Sequence, residues 1–240
     1  MDQALKTILT LLLVLPQCSN AQTGKAELVI EAGPNITSLW KSSLVSTENY
    51  TVKSNYGSYL GLNLQWNFPN SFGFVTGISM EQRSFVQIIR ATSPTIPFSS
   101  ENRITSTLDY ASIPLFARFT YGDNVRFFWN AGLQVSFLRE AENVIKTHTH
   151  YAGGIQNYDD YFEAKNSEMT NFLPFSIGLC AGAGITIPVK KQWDFFVELR
   201  DNFGLTNVFK DNKHVLNGSL SANTCTLNLG VIFRPRLEEE

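Results

Sequence analysis

Apolar and polar positions alternate with period two along almost the whole chain, in unusually long stretches. Phe127, Trp129, Ala131, Leu133, Val135 and Phe137 make one face of a segment whose other face is Arg126, Phe128, Asn130, Gly132, Gln134 and Ser136. The stretch from Leu173 to Ile187 repeats the scheme, with Gly178, Cys180, Gly182 and Gly184 on its second face. Period two is the signature of an extended strand with unlike sides. It predicts eight strands, over 26–40, 55–68, 72–86, 105–121, 125–139, 172–187, 192–207 and 221–234. Tight turns fall at 68–71, 122–124 and 188–191, whereas 41–54, 87–104, 140–171 and 208–220 are long and polar. An even strand number with short turns at one end and long loops at the other describes an all-β, antiparallel up-and-down barrel of eight strands.

Alternation alone does not say which face is wet. A lipocalin-like soluble carrier would turn the apolar face inward, and a β-sandwich would bury it between two sheets, although with shorter strands. Two patterns favour an outward apolar face. Aromatics collect beside the short turns: Trp66, Phe68, Phe72, Phe119, Tyr121, Phe127, Trp129, Trp193, Phe195 and Phe233. Amphipathic rings at one level are a membrane-interface girdle. The opposite face carries Glu31, Glu81, Arg83, Arg118, Arg126, Asp194, Glu198 and Arg200, both signs together, as a closed polar interior needs.

Composition then narrows the classes. The 240 residues are 43% hydrophobic, 12% aromatic and 17% charged, with a net charge of −2. Aromatic content excludes disorder, and the near-neutral charge argues against a nucleic-acid partner. No apolar run reaches the ~20 residues of a spanning helix. The first 21 residues read as a signal peptide: Lys6, an apolar stretch from Ile8 to Leu15, and Ser19-Asn20-Ala21 as a cleavage site. Lipidation at Cys18 is disfavoured because Gln17 stands where a small residue is expected. The barrel domain is then 22–234, followed by a short tail, 235–240.

Several phrases carry a family likeness: Glu31-Ala32-Gly33-Pro34-Asn35-Ile36, Ile113-Pro114-Leu115-Phe116-Ala117-Arg118-Phe119 and Gly178-Leu179-Cys180-Ala181-Gly182-Ala183-Gly184-Ile185. With the signal ending in Ala-Gln, these resemble the PorT-like outer-membrane β-barrel family of Bacteroidota. The resemblance implies an eight-stranded barrel in outer-membrane lipid. It also implies, for some relatives, a link to type IX protein secretion and gliding, and it brings no catalytic residue. The alternating end Leu227, Leu229, Val231, Phe233 is similar to the signal read by the barrel-assembly machinery, though Arg234 to Glu240 extend beyond the usual terminal aromatic.

Eight strands enclose a space that side chains can fill. Glu31, Glu81, Arg83, Arg118, Arg126, Glu198 and Arg200 are therefore expected to form a salt-bridged lumen plug, the alternative being separate solvated charges in a wet lumen. Cys180 falls on the lumen face and Cys225 on the lipid face of strands that are not neighbours, so no disulfide is expected. His148 and His150 make a weak metal candidate in the longest loop. Tyr151, Tyr158, Tyr161 and Phe162 of that loop are the candidate partner surface. All three histidines lie in predicted loops, and no nucleophile–base pair can be assembled, so neither catalysis nor a cofactor is expected. The sequence thus reads as a non-enzymatic outer-membrane barrel serving a secretion or surface assembly through its loops. The rival reading is a narrow porin-like channel for small solutes.

Overall fold

A computed structural model describes residues 25–41, 50–69, 71–93, 98–151, 158–165, 171–190, 192–210 and 220–235. The expected signal peptide, 1–21, and all but Pro235 of the expected tail lie outside these residues. The strands are β1 (Lys25–Lys41), β2 (Tyr50–Asn67), β3 (Phe72–Ser93), β4 (Phe98–Tyr121), β5 (Arg126–Tyr151), β6 (Tyr158–Lys165), β7 (Phe175–Lys190), β8 (Trp193–Gly204) and β9 (Leu220–Phe233). Each pairs antiparallel with its neighbour in the ring, and β1 against β9, from Leu28↔Phe233 to Lys41↔Leu220, closes it. Eight strands form the wall, and β6 adds itself to the far end of β5. No helix among the described residues is long and apolar enough to cross a membrane. The crossing is made by strands.

The short turns are where the tight hairpins were expected. The Phe68 N–H donates to Phe72 O at 2.8 Å, and Ser71 takes a φ of 65° to close that hairpin. Gly122 turns the next one with a φ of 106°, a conformation that a side chain would oppose.

Two expectations are corrected. The stretches 87–104 and 140–171 are largely strand: β3, β4 and β5 run 22, 24 and 26 residues, and β6 pairs Glu142–Thr149 of β5. Above the membrane no lipid demands an apolar outer side, so the alternation fades while cross-strand pairs such as Ile104↔Ile145 and Thr105↔Val144 keep the ladder going. Conversely, β7 begins only at Phe175 and β8 ends at Gly204. Pro174, without an N–H to give the ladder, ends the wall there, and residues 171–174 and 205–210 turn across the barrel mouth.

The outward face is an apolar belt. Leu62, Ile78, Leu133, Leu179, Leu199 and Leu229 are all more than 40% exposed on it. It ends upward where Ser58, Gln82, Asp109, Arg139 and Asp201 take over the outward positions. From Phe72 to Gln82 the chain makes ten steps. At ~3.3 Å each and ~40° tilt that is about 25 Å along the membrane normal, the height of an outer-membrane belt.

Candidate functional site

The lumen is built in layers from the inward half of every strand. At the short-turn end Arg126 pairs with Asp194, and Arg234 bridges Asp194 and Glu27, its Nε donating to Glu27 Oε1 at 2.7 Å. Above lies an apolar layer of Val29, Phe128, Phe196 and Ile232. Gly184 stands against the Phe128 ring and Gly230 against the Phe196 ring, and a Cβ on either would collide with that ring. Glycine is therefore what lets two large rings meet edge to face, 5.9 Å apart, inside so narrow a barrel.

Arg118 rests 4.2 Å over Phe128. Its Nε donates to Asn130 Oδ1 at 2.8 Å and an Nη1–H to Gln65 Oε1. Expected in a salt bridge, it is instead held by two amides and a ring. At the barrel's middle, Arg200 bonds both Glu198 at 2.6 Å and Glu31 at 2.9 Å. Tyr59 Oη and Asn63 Nδ2 donate to Glu31, and Asn130 Nδ2 donates to Glu198. A step higher, Arg83 pairs with Glu81 at 2.7 Å, which also accepts from Gln134. Arg83 donates to Ser136 as well and lies 4.7 Å over the Tyr110 ring.

Five carboxylates (Glu27, Glu31, Glu81, Asp194, Glu198) face five guanidinium groups (Arg83, Arg118, Arg126, Arg200, Arg234), so these lumen charges cancel. Arg118 and Glu198 share only Asn130 between them, yet the sum is what a low-dielectric interior requires.

An apolar cap covers the top. Phe85, Leu108, Tyr110, Phe172, Val208, Phe209 and Leu220 pack as one cluster, with Phe172 stacked 5.3 Å from Phe209. Backbone bonds from Leu173 N to Val208 O and from Lys210 N to Asn171 O tie the two crossing segments together.

The predicted girdle residues lie on the outward face or in its turns, and several touch. Phe72 is 5.3 Å from Phe119, Phe68 is 5.9 Å from Phe72, and Trp193 is 4.6 Å from Phe233. Trp129 pairs with Phe119 in register, beside Tyr121↔Phe127, and Phe195 is exposed next along β8 from Trp193. Trp66 lies against Phe74 at 6.2 Å.

The expected loop sites are on strands. His148 and His150 belong to β5, His148 opposite Glu101 and Asp159. Among the described residues no three metal-ligating side chains stand together. Tyr161 and Phe162 are neighbours on β6 and so point to opposite faces, Tyr161 under the Lys146 ammonium at 5.9 Å. Tyr151 and Tyr158 join the ladder, while their side chains and that of His150 lie outside the described residues. Among the described residues both cysteines are free, Cys180 buried inside and Cys225 half-buried outside.

Sequence reasoning missed three features. Glu27 and Arg234 complete the lower ion cluster, and Glu27 shares the parity of Glu31, which could have revealed it. Trp40, Tyr56, Phe137, Phe175 and Phe203 form a second aromatic level at the upper rim, with Trp40 5.7 Å from Phe203. The cap of Phe172 and Phe209 has no periodic signal, because crossing segments follow no strand.

The model of the family described as "Outer membrane protein beta-barrel domain" matches residues 19–210. The chain belongs to that family. It is accordingly a protein of the cell outer membrane. No curated protein matches it. Solved structures similar to it include Neisserial surface protein A (NspA), at 13% identity over 87% of this chain and 97% of that one, TM-score 0.42. OprG from Pseudomonas aeruginosa matches at 10% identity over 88% and 98%, TM-score 0.41. The attachment invasion locus protein Ail of Yersinia pestis, in complex with sucrose octasulfate, matches at 12% identity over 87% and 99%, TM-score 0.35.

Proposed function

We propose that this barrel is a closed, non-enzymatic scaffold, exported with residues 1–21 as its cleaved signal, that serves a secretion or surface assembly of the type IX kind. The observation that carries this reading is the stack of neutralised ion pairs beneath an apolar cap. A lumen filled with paired charges and sealed by Phe172 and Phe209 is suited to holding the wall rigid and poorly suited to passing solutes. The work then falls to the tall extracellular sheet of β2–β6. A branch related to the PorT-like proteins would use it to hold a partner.

Planar-bilayer recording tests the closed lumen: no stable conductance is expected, and large steady channels would end the proposal. Affinity purification in mild detergent tests the assembly role, with a stoichiometric outer-membrane or exported partner as the expected result. One observation favours a narrow solute channel instead. The amides of Asn202 and Asn228 are buried with both polar atoms unpartnered, a setting that favours enclosed water. Liposome swelling in small sugars would reveal such a path.

A further inference from the structure

The wall carries a flaw at the upper edge of the lipid belt, and a cavity opens there. Between Ser54↔Phe85 and Tyr59↔Glu81, four residues of β2 (55–58) oppose three of β3 (82–84), so the ladder breaks. Asn35 Nδ2 bridges the break from within, donating to Ser58 O at 3.2 Å and Gln82 O at 3.0 Å, while its Oδ1 stays buried without a partner. At the same height β5 bulges at Arg139, which is skipped between Asp109↔Glu140 and Tyr110↔Leu138. Bulges re-aim side chains and gather beside binding sites.

The cavity beside these two irregularities holds about 360 Å³ and is lined from both sides of the wall. Tyr59, Glu81 and Tyr110 come from the lumen side, and Leu60, Met80, Asp109 and Arg139 from the outward side, where Asp109 is the carboxylate beside the arginine. Arg139 crosses the whole of β4, passing the small Ala111, to reach Met80. Its Nη1 donates to Met80 Sδ at 3.3 Å. Among the described residues no carboxylate pairs with that guanidinium. Arg139 stands where the belt ends, its guanidinium bonded to a thioether, and the natural complement of such a cation is an anion.

We propose that this cavity binds a phosphate-bearing lipid of the outer leaflet. The phosphate meets Arg139 at the mouth, and an acyl chain lies on Leu60 and Met80, which continue into Leu62 and Ile78 of the belt. The lipid source follows from Leu60 and Met80, which are 56% and 43% exposed on the outward face at the upper edge of the belt, the depth of the headgroups. The proposal stands apart from the closed-lumen reading, since neither cap nor ion-pair stack takes part.

Native mass spectrometry of the full chain in mild detergent provides the test. The probes are dioleoylphosphatidic acid, dioleoylglycerol with the same tails and no phosphate, and inorganic phosphate. Wild type is expected to retain phosphatidic acid well above dioleoylglycerol, with Arg139→Gln weakening it about tenfold, as loss of a charge-assisted bond would. Arg90→Gln, out on the extracellular sheet, should match wild type. Ser58→Trp, which fills the cavity from β2, should weaken retention independently and serves if the arginine variant fails to fold by heat-modifiable mobility. Equal retention by the cavity variants and wild type overturns the site. Equal binding of dioleoylglycerol overturns the phosphate contact, and displacement by equimolar inorganic phosphate overturns the lipid.

Discussion

Replacing Arg200 with Met removes the one cation shared by Glu31 and Glu198 and leaves two carboxylates buried, at 1% and 0% exposure. Glu31 keeps its bonds from Tyr59 and Asn63, and Glu198 keeps Asn130, so the anions stay partly satisfied but uncompensated. Breaking a buried pair in this way costs about 3–5 kcal/mol. With a guanidinium m-value of ~3 kcal/mol/M, about 4 kcal/mol lowers the unfolding midpoint by ~1.3 M. Detergent-solubilised protein, followed by tryptophan fluorescence and heat-modifiable mobility, reports that midpoint. The triple variant E31Q/E198Q/R200M removes both anions together with the cation and should recover most of the loss, because exchanging a whole ion cluster for neutral groups is close to neutral. A single variant within ~1 kcal/mol of wild type would refute the reasoning, since it would mean that water already shields these charges. So would a triple variant no more stable than the single one.

Gly230→Ala should destabilise by about 1–3 kcal/mol through overpacking against the Phe196 ring, and Gly230→Ala/Phe196→Leu should regain part of it; equal midpoints for all three proteins would contradict the tight layer. At the tip of the β3–β4 hairpin, the Arg90 guanidinium bonded to Glu101 holds that carboxyl below the usual carboxylate range. The pair's small, solvent-screened stabilisation is therefore present above the ordinary glutamate pKa and lost as pH falls through the lowered one. Carbon-13 titration should show the Glu101 midpoint rising in Arg90→Gln, and an unmoved midpoint would dissociate the two groups. Brominated lipids should quench Trp66, Trp129 and Trp193 at one interface and Trp40 at the other, measured in single-tryptophan variants; four equal depth profiles would contradict the belt's placement.

The wall was legible because lipid imposes a rule on every second residue. Wherever a strand crosses the bilayer, an apolar outward position is compulsory, so β1, β2 and the lower halves of β3, β4 and β5 announce themselves. The rule lapses at Gln82, Asp109 and Arg139. Beyond that height water accepts either face, the polar segments 87–104 and 140–171 lose their period, and a loop was the natural expectation. What continues the strands is pairing between neighbouring strands, as in Ile104↔Ile145↔Phe162, which is invisible until the register is known.

The lumen was half legible for a related reason. Parity picked out Glu31, Glu81, Arg83 and Arg200 as inward charges, but parity does not assign partners. Arg200 reaches Glu31 from β8 to β1, 169 residues apart, whereas Arg118, equally inward, meets Asn130 and Gln65. The difference follows from ring size. Phe128 and Phe196 occupy the level at which a carboxylate would have to stand against Arg118, so its guanidinium takes an aromatic face and two amides. Gly184 and Gly230 admit those rings, and the same glycines that read as featureless spacers on the polar face thus decide which charges in the barrel can meet.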